Sequence, residues 1–389
     1  MRFRHPDGTR VHLAYCTNVH PAERLDDVLA QLSRFTAPIR RRLRTHRLGV
    51  GLWLARGAQR ELVAAPGAVR RLRGELDRLG LEVVTLNAFP YEGFQAATVK
   101  KSVYRPDWTE PERLDYTLGC ARILSELLPD DVAQGSVSTL PIAWRTPWTP
   151  ERAALARRNL DSLAAGLAAL EAETGRKVRV GLEPEPGCVL ERVEQAPGLL
   201  AGLDTGRIGV CVDACHLAVG FEDPAAACAR LAAAGLPIVK AQASCAVRAD
   251  RPGDPDQRAA LARLAEPRFL HQTREAPASP AAVPAGADDL PEALDGGLPG
   301  AGPWRVHYHV PLHSGLPEPL RTTAPELIGT LAALLGGPSA RTDHIEVETY
   351  TWPVLRSSPT DDDLIGGIAA ELAWTRDALV SAGLKEEIP

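Results

Sequence analysis

Lysine is scarce in this chain of 389 residues: five occur, at positions 100, 101, 177, 240 and 385, beside 39 arginines. Nor is there an excess of positive charge. The net charge of −5 and pI near 6.1 give no electrostatic reason to expect a nucleic-acid partner, and Arg40-Arg41-Arg42 reads as a solvated helix end. The seven cysteines are odd in number and include no C-x-x-C pair. Cys120, Cys211 and Cys228 fall inside expected strands or helices, so they read as small buried side chains of a reducing compartment, not as a disulfide framework. No stretch approaches the roughly 18 apolar residues of a membrane span. Residues 1–10 (MRFRHPDGTR) are charged without an apolar centre, unlike a secretory signal, so the expectation is a soluble cytoplasmic protein. G-x-G-x-x-G, P-loop and G-x-S-x-G patterns are missing too, which leaves dinucleotide, nucleotide and serine-hydrolase readings without their physical signatures.

What is present is an alternation. Short β-branched or apolar runs occur at 12–18, 48–54, 82–87, 132–140, 178–183, 208–213, 238–242 and 345–350, with helically spaced segments between them. Strands separated by helices run parallel, and eight such units close into a (β/α)8 TIM barrel, an α/β fold. Helix starts are well marked: Thr149-Pro150-Glu151 and Asp223-Pro224 pair an N-cap with proline, and Thr360 precedes three aspartates. Gly80, Gly175, Gly235 and Gly383 mark helix ends.

About one hundred residues separate the seventh run from the eighth, far more than elsewhere. This predicts a single domain over 1–389 with an insertion at 246–311, in which 268–273 (RFLHQT) and 304–310 (WRVHYHV) read as strands and 276–286 and 296–302 as loops. Loops after barrel strands build the active face, so the insertion is expected to lie over the site.

Three acidic strand ends carry the chemistry: 181–187 (GLEPEPG), 210–218 (VCVDACHLA) and 344–352 (HIEVETYTW). Strand alternation puts Glu183 with Glu185, Glu346 with Glu348, and His307 with His309, each pair on one face. An acid inside a closed barrel is costly unless it is paired or metal-bound. Glu183, Asp213, His216, Gln242 and Glu348 are therefore the expected ligands of a divalent cation, Mn²⁺ or Zn²⁺ ahead of Mg²⁺ because an imidazole is available. Lys240, alone in an apolar strand, is an expected proton carrier whose pKa burial would lower, with Glu185 and His309 as further catalytic candidates. Asn18, Asn87, His271 and His307 are expected substrate contacts; Ser138, Thr139, His20 and His313 are weaker candidates.

The order of strand-end residues resembles the xylose isomerase-like superfamily of barrels. The segments 15–20, 103–108, 136–140, 182–188, 212–218, 269–272, 304–310 and 346–352 are similar to the EboE family, named for a gene cluster linked to metabolite traffic. The superfamily likeness implies that Glu183, Asp213 and Glu348 bind metal, and that His216 corresponds to the histidine of a D-x-x-H pair. The sequence departs from the superfamily pattern on the seventh strand, where Lys240 and Gln242 stand in place of a metal-binding histidine; His307 or His309 is the expected substitute. The reading is a metal-dependent isomerase or epimerase acting on a small polyhydroxylated metabolite, with a non-catalytic metabolite-binding protein as the alternative. The cation would hold two adjacent substrate oxygens. Expected partners are a small metabolite and proteins of the same gene cluster, without nucleic acid or a membrane segment.

Overall fold

The computed structural model describes residues 1–279, 282–355 and 359–387. Eight parallel strands close a barrel: β1 (Arg10–Cys16), β2 (Leu48–Trp53), β3 (Leu81–Asn87), β4 (Gln134–Thr139), β5 (Lys177–Leu182), β6 (Ile208–Asp213), β7 (Ile238–Ala243) and β8 (His344–Val347). Each pairs with its sequence neighbour, and β8 returns to β1 with Ile345 opposite Leu13. The chain is thus a (β/α)8 barrel. Its helices lie outside and are fixed by the expected caps. Thr149 accepts from the Arg152 amide, Asp223 from the Ala226 amide and Thr360 from the Asp363 amide.

Outward residues of the strands, such as Val50, Val137, Val180 and Val210, join the main apolar core. The inward positions are unusually polar. His344 Nδ1 meets Ser136 Oγ at 2.6 Å, Ser136 meets Thr85 at 2.8 Å, and Lys240 Nζ lies 2.5 Å from Glu346 Oε2. Glycine makes room for them: a Cβ on Gly51 would sit 1.4 Å from Glu346 Oε1. At the amino end, Arg2–Arg4 pairs antiparallel with the start of β1 and with Lys385–Glu386.

Between β7 and β8 the chain builds a second, antiparallel sheet in the order 285–287, 273–275, 304–306, 247–249, 321–322. Several boundaries differ from expectation: the strand that begins at Trp304 ends at Val306 rather than 310, and Ala285–Ala287 pairs at the end of the stretch 276–286 expected as a loop. The sheet extends past residue 311 to Arg321–Thr322, and pairing begins at Thr273 rather than 268. Residues 268–272 run irregularly because their backbone meets the loop after β3: the Arg268 carbonyl accepts from the amides of Val99 and Lys100. Two residues of the 276–286 stretch, 280 and 281, lie outside the described residues. All seven cysteines are buried and unpaired.

Candidate functional site

The carboxyl ends of β5, β6 and β8 bring one oxygen each of Glu183, Asp213 and Glu348 within 4.8 Å of one another. All three residues are buried. Neighbours aim them. Glu348 Oε1 accepts from Asn18 Nδ2 at 2.7 Å and from Asn87 Nδ2 at 2.9 Å, and Asp213 Oδ1 accepts from Ser244 Oγ at 2.8 Å. Asp213 also caps the short helix Ala214–Val219 by accepting from the His216 amide, so its capping role and its site role coexist on different oxygens. Other polar atoms of the cluster are left over. Glu183 Oε2, Asp213 Oδ2 and both amide atoms of Gln242 are buried without a hydrogen-bond partner. Burial, reinforced by mutual repulsion, pushes Glu183 and Glu348 well above the ordinary carboxylate range. Native interiors rarely leave such groups unpaired, and three carboxylates with an amide form an oxygen-rich donor set that suits a divalent cation.

His216, expected among these ligands, is turned elsewhere. Its Nδ1 faces the Pro184 carbonyl at 2.8 Å, while its Nε2 points to His307 Nε2 at 3.1 Å, and it groups with Asp213 and His309. Glu185 stands in the adjoining wall. Its Oε1 accepts from Tyr104 at 2.7 Å and Gln272 at 3.2 Å, its Oε2 has no partner, and burial raises its pKa. Gln272 also accepts from His307 Nδ1 at 2.7 Å, so one amide orients both an acid and an imidazole.

Glu183, Glu185, His216, His307 and Glu348 line one side of a small cavity of about 50 Å³ whose other walls include Phe89, Phe94, Val99, Phe269 and Tyr350; Asp213 and Gln242 are not part of its lining. The polar side and this aromatic roof come from different parts of the chain: the loop after β3 and the inserted segment meet over the barrel mouth. Asn18, Asn87, Glu183, Glu185, His216, His307, His309 and Glu348 all line the cavity.

Two expected roles need correction. Lys240 is not a lysine with a lowered pKa facing the cavity. Burial works against its charge, but Glu346 at 2.5 Å overcomes this and drives the pKa up, and the pair lies within the barrel off the cavity lining. His271 is likewise absent from that lining. It stacks on Tyr308 at 4.2 Å, meets Glu266 at 2.9 Å, and faces the His307 carbonyl at 3.0 Å, where it holds the inserted strand in place. Asn18 and Asn87 line the cavity, yet their amide donors are spent on Glu348. Among the weaker candidates, Ser138 lies within reach of Lys240, Thr139 is buried, His20 stacks on Phe35 and His313 is exposed against Trp352. Sequence reasoning did not single out Tyr104, Gln272, Tyr350 or the phenylalanines of the roof. Their loops carry no periodicity, and nothing local says which loop returns to the mouth.

The chain belongs to the xylose isomerase-like TIM barrel family, whose model matches residues 49–260, more than half of its length. Among solved structures it is similar to a putative sugar phosphate isomerase/epimerase from Anabaena variabilis (15% identity, 96% of this chain and 99% of that one, TM-score 0.52). It is similar also to a D-psicose 3-epimerase from Clostridium cellulolyticum solved with D-tagatose (10% identity, 95% and 99%, TM-score 0.51), and to an L-ribulose 3-epimerase (13%, 96% and 95%, TM-score 0.50). At these identities the likeness is one of fold. No curated protein matches the sequence. Among the described residues, no helix is long and apolar enough to cross a membrane.

Proposed function

We propose that the chain is a metal-dependent isomerase or epimerase acting on a small polyhydroxylated metabolite, in the setting of secondary-metabolite processing that its resemblance to the EboE family implies. One observation carries the reading: buried oxygens of Glu183 and Asp213 and the Gln242 amide lack partners, beside a cavity that Glu183 and Glu348 line. Glu183, Asp213, Glu348 and Gln242 would hold the ion, manganese suiting the oxygen donors. When bound, it supplies Lewis acidity toward two neighbouring substrate oxygens. The chain's own residues do the rest. Asn18 and Asn87 fix the Glu348 carboxylate, and the aromatic roof excludes water. Glu185, whose Oε1 is held by Tyr104 and Gln272, moves the proton at its open Oε2. The names of the similar epimerases support a carbonyl-and-hydroxyl substrate.

The test is solvent isotope exchange. Metal-loaded protein is incubated in D₂O with a panel of ketoses and keto-cyclitols and followed by proton NMR. The expected result is deuterium wash-in at a carbon next to a carbonyl, lost in Glu185→Gln, with Mn²⁺ binding kept in that variant and lost in Glu348→Gln. A protein that takes up neither Mn²⁺ nor Zn²⁺ refutes the reading.

A further inference from the structure

We propose that Glu371, on the outer helix Asp361–Ser381 and outside the cavity lining, is a positioning residue that latches two segments of the site to the barrel. One is the end of the inserted segment, 309–312; the other is the stretch that leaves β8, 348–352. The geometry stands by itself, and its consequence for metal binding rests on the reading of Glu348 proposed above.

A glutamate buried in the middle of a helix is unusual, because removing a carboxyl group from water is costly unless partners take its place. Glu371 is only 1% exposed. Burial pushes its pKa up to about 7, and none of the groups acting against that shift is a cation. They are all hydrogen-bond donors. Oε1 accepts from the Thr349 hydroxyl at 2.6 Å and from the Leu312 amide at 3.2 Å, and Oε2 accepts from Trp352 Nε1 at 2.8 Å. One carboxyl group thus collects donors from two segments that are distant in sequence.

The helix is shaped for the contact. One turn before Glu371, Gly367 leaves the space that the Trp352 ring fills, and a Cβ there would strike the ring. An apolar residue at 371 would pack without the cost of desolvation, but it would leave three buried donors without an acceptor. A carboxylate has lone pairs for all three and no N–H to oppose them, whereas an amide would turn an N–H₂ toward at least one.

The two segments also hold each other. His309 Nδ1 donates to the Glu348 carbonyl at 2.9 Å, and Thr351 Oγ1 donates to the His309 carbonyl. Between these bonds lie the groups that matter to the site. Glu348 stands in the carboxylate cluster, and Tyr350 belongs to the aromatic roof, its ring 5.1 Å from that of Phe94 and 4.8 Å from that of Phe269. A shift of either segment is therefore passed to the other, and Glu371 is where both are fastened to the helix layer. Glu371 acts on the site through Glu348 and Tyr350 and touches neither the cavity nor the carboxylate cluster.

Mn²⁺ titration followed by paramagnetic resonance, together with amide hydrogen exchange, tests the latch on Glu371→Gln, Thr349→Val and Thr349→Ser. Glu371→Gln is expected to weaken Mn²⁺ binding about 10–100-fold, as loss of an outer contact does, and to speed exchange in 309–312 and 348–352 together, ahead of the rest of the chain. Thr349→Val, which removes one donor, should move both readings in the same direction but less far; Thr349→Ser, which keeps the hydroxyl, should hold the parent's values. A Glu371→Gln protein that melts lower yet binds Mn²⁺ as the parent does overturns the proposal, since Glu371 then only holds the fold. A parent that takes up neither Mn²⁺ nor Zn²⁺ refutes the metal reading and leaves the latch to hydrogen exchange. Faster exchange in both segments then supports it, and unchanged exchange, or a change in one segment alone, overturns it. If Glu371→Gln does not fold, equal readings for Thr349→Val and Thr349→Ser overturn it.

Discussion

Both ends of the barrel bury carboxylates, and they treat them in opposite ways. At the amino end Glu82 is met by Arg2 Nη2 at 2.8 Å, by His12 Nδ1 at 3.6 Å and by the Met1 amine at 3.8 Å. Burial alone would raise its pKa, but hydrogen bonding and charge from these partners, Arg2 among them, hold it well below the ordinary range. Halfway up, Glu346 has Lys240. At the carboxyl end Glu183 and Glu348 have like charges as neighbours and are pushed up instead. A fold that supplies a resident cation to two layers of acid and withholds it from the third leaves a place for a charge that arrives from outside. Perturbed titration in a cleft marks function where it marks only structure elsewhere.

The contrast can be broken most severely at the amino end. Glu82→Gln leaves the buried Met1 amine without its counter-charge and the Arg2 guanidinium with Asp131 alone, and removing one partner of a buried pair costs about 3–5 kcal/mol. Urea unfolding at pH 7 measures it. The sign with pH follows from the lowered pKa: Glu82 contributes stability that is present above its unfolded pKa of about 4.3 and is lost as pH falls through the folded value. The parent should therefore lose stability more steeply than the variant in acid. Equal slopes would mean that Glu82 is not held ionised by its partners.

Glu348→Gln should behave the other way round. The metal-free variant is expected to melt no lower than the metal-free parent, since a neutral amide relieves the repulsion around residue 348. Mn²⁺ at 100 times the parent's Kd should stabilise the parent by about 2.7 kcal/mol and the variant hardly at all. Calorimetric melts with and without Mn²⁺ decide, and a variant that melts well below the parent without metal would make Glu348 a structural acid like Glu82.

A smaller effect sharpens the same contrast. Asn18→Ala removes one of two amide donors to Glu348 Oε1, and loss of such an outer contact typically weakens metal binding about 10–100-fold. Isothermal titration with Mn²⁺ checks it; unchanged affinity would show that Asn87 alone orients the carboxylate. The smallest is a control. Thr360→Ala, at the cap of the helix Asp361–Ser381, should cost about 1 kcal/mol in urea unfolding and leave Mn²⁺ affinity as it was.

Much of the barrel is legible in the order of residues because its rules are local. Alternation in GLEPEPG and HIEVETYTW, a carboxylate where an apolar run gives way to a turn, and Thr-Pro or Asp-Pro at helix starts each act within a few positions. Lys240 shows where that stops. Its place in an apolar strand is visible in the chain, but its pKa is decided by Glu346, which is 106 positions away in sequence and 2.5 Å away in space.

The amino-acid sequence by itself determined the eight strand-and-helix steps and the acids at the strand ends, because backbone geometry and polarity impose those features residue by residue. Only the tertiary structure decided which groups are left without partners. The roof of Phe94, Phe269 and Tyr350, the orientation of Glu185 by Tyr104 and Gln272, and the three imidazoles turned toward one another depend on loops from distant parts of the chain meeting at one mouth. A side chain's hydrogen bonds and charge state are set by whatever packs against it, and no local pattern carries that information.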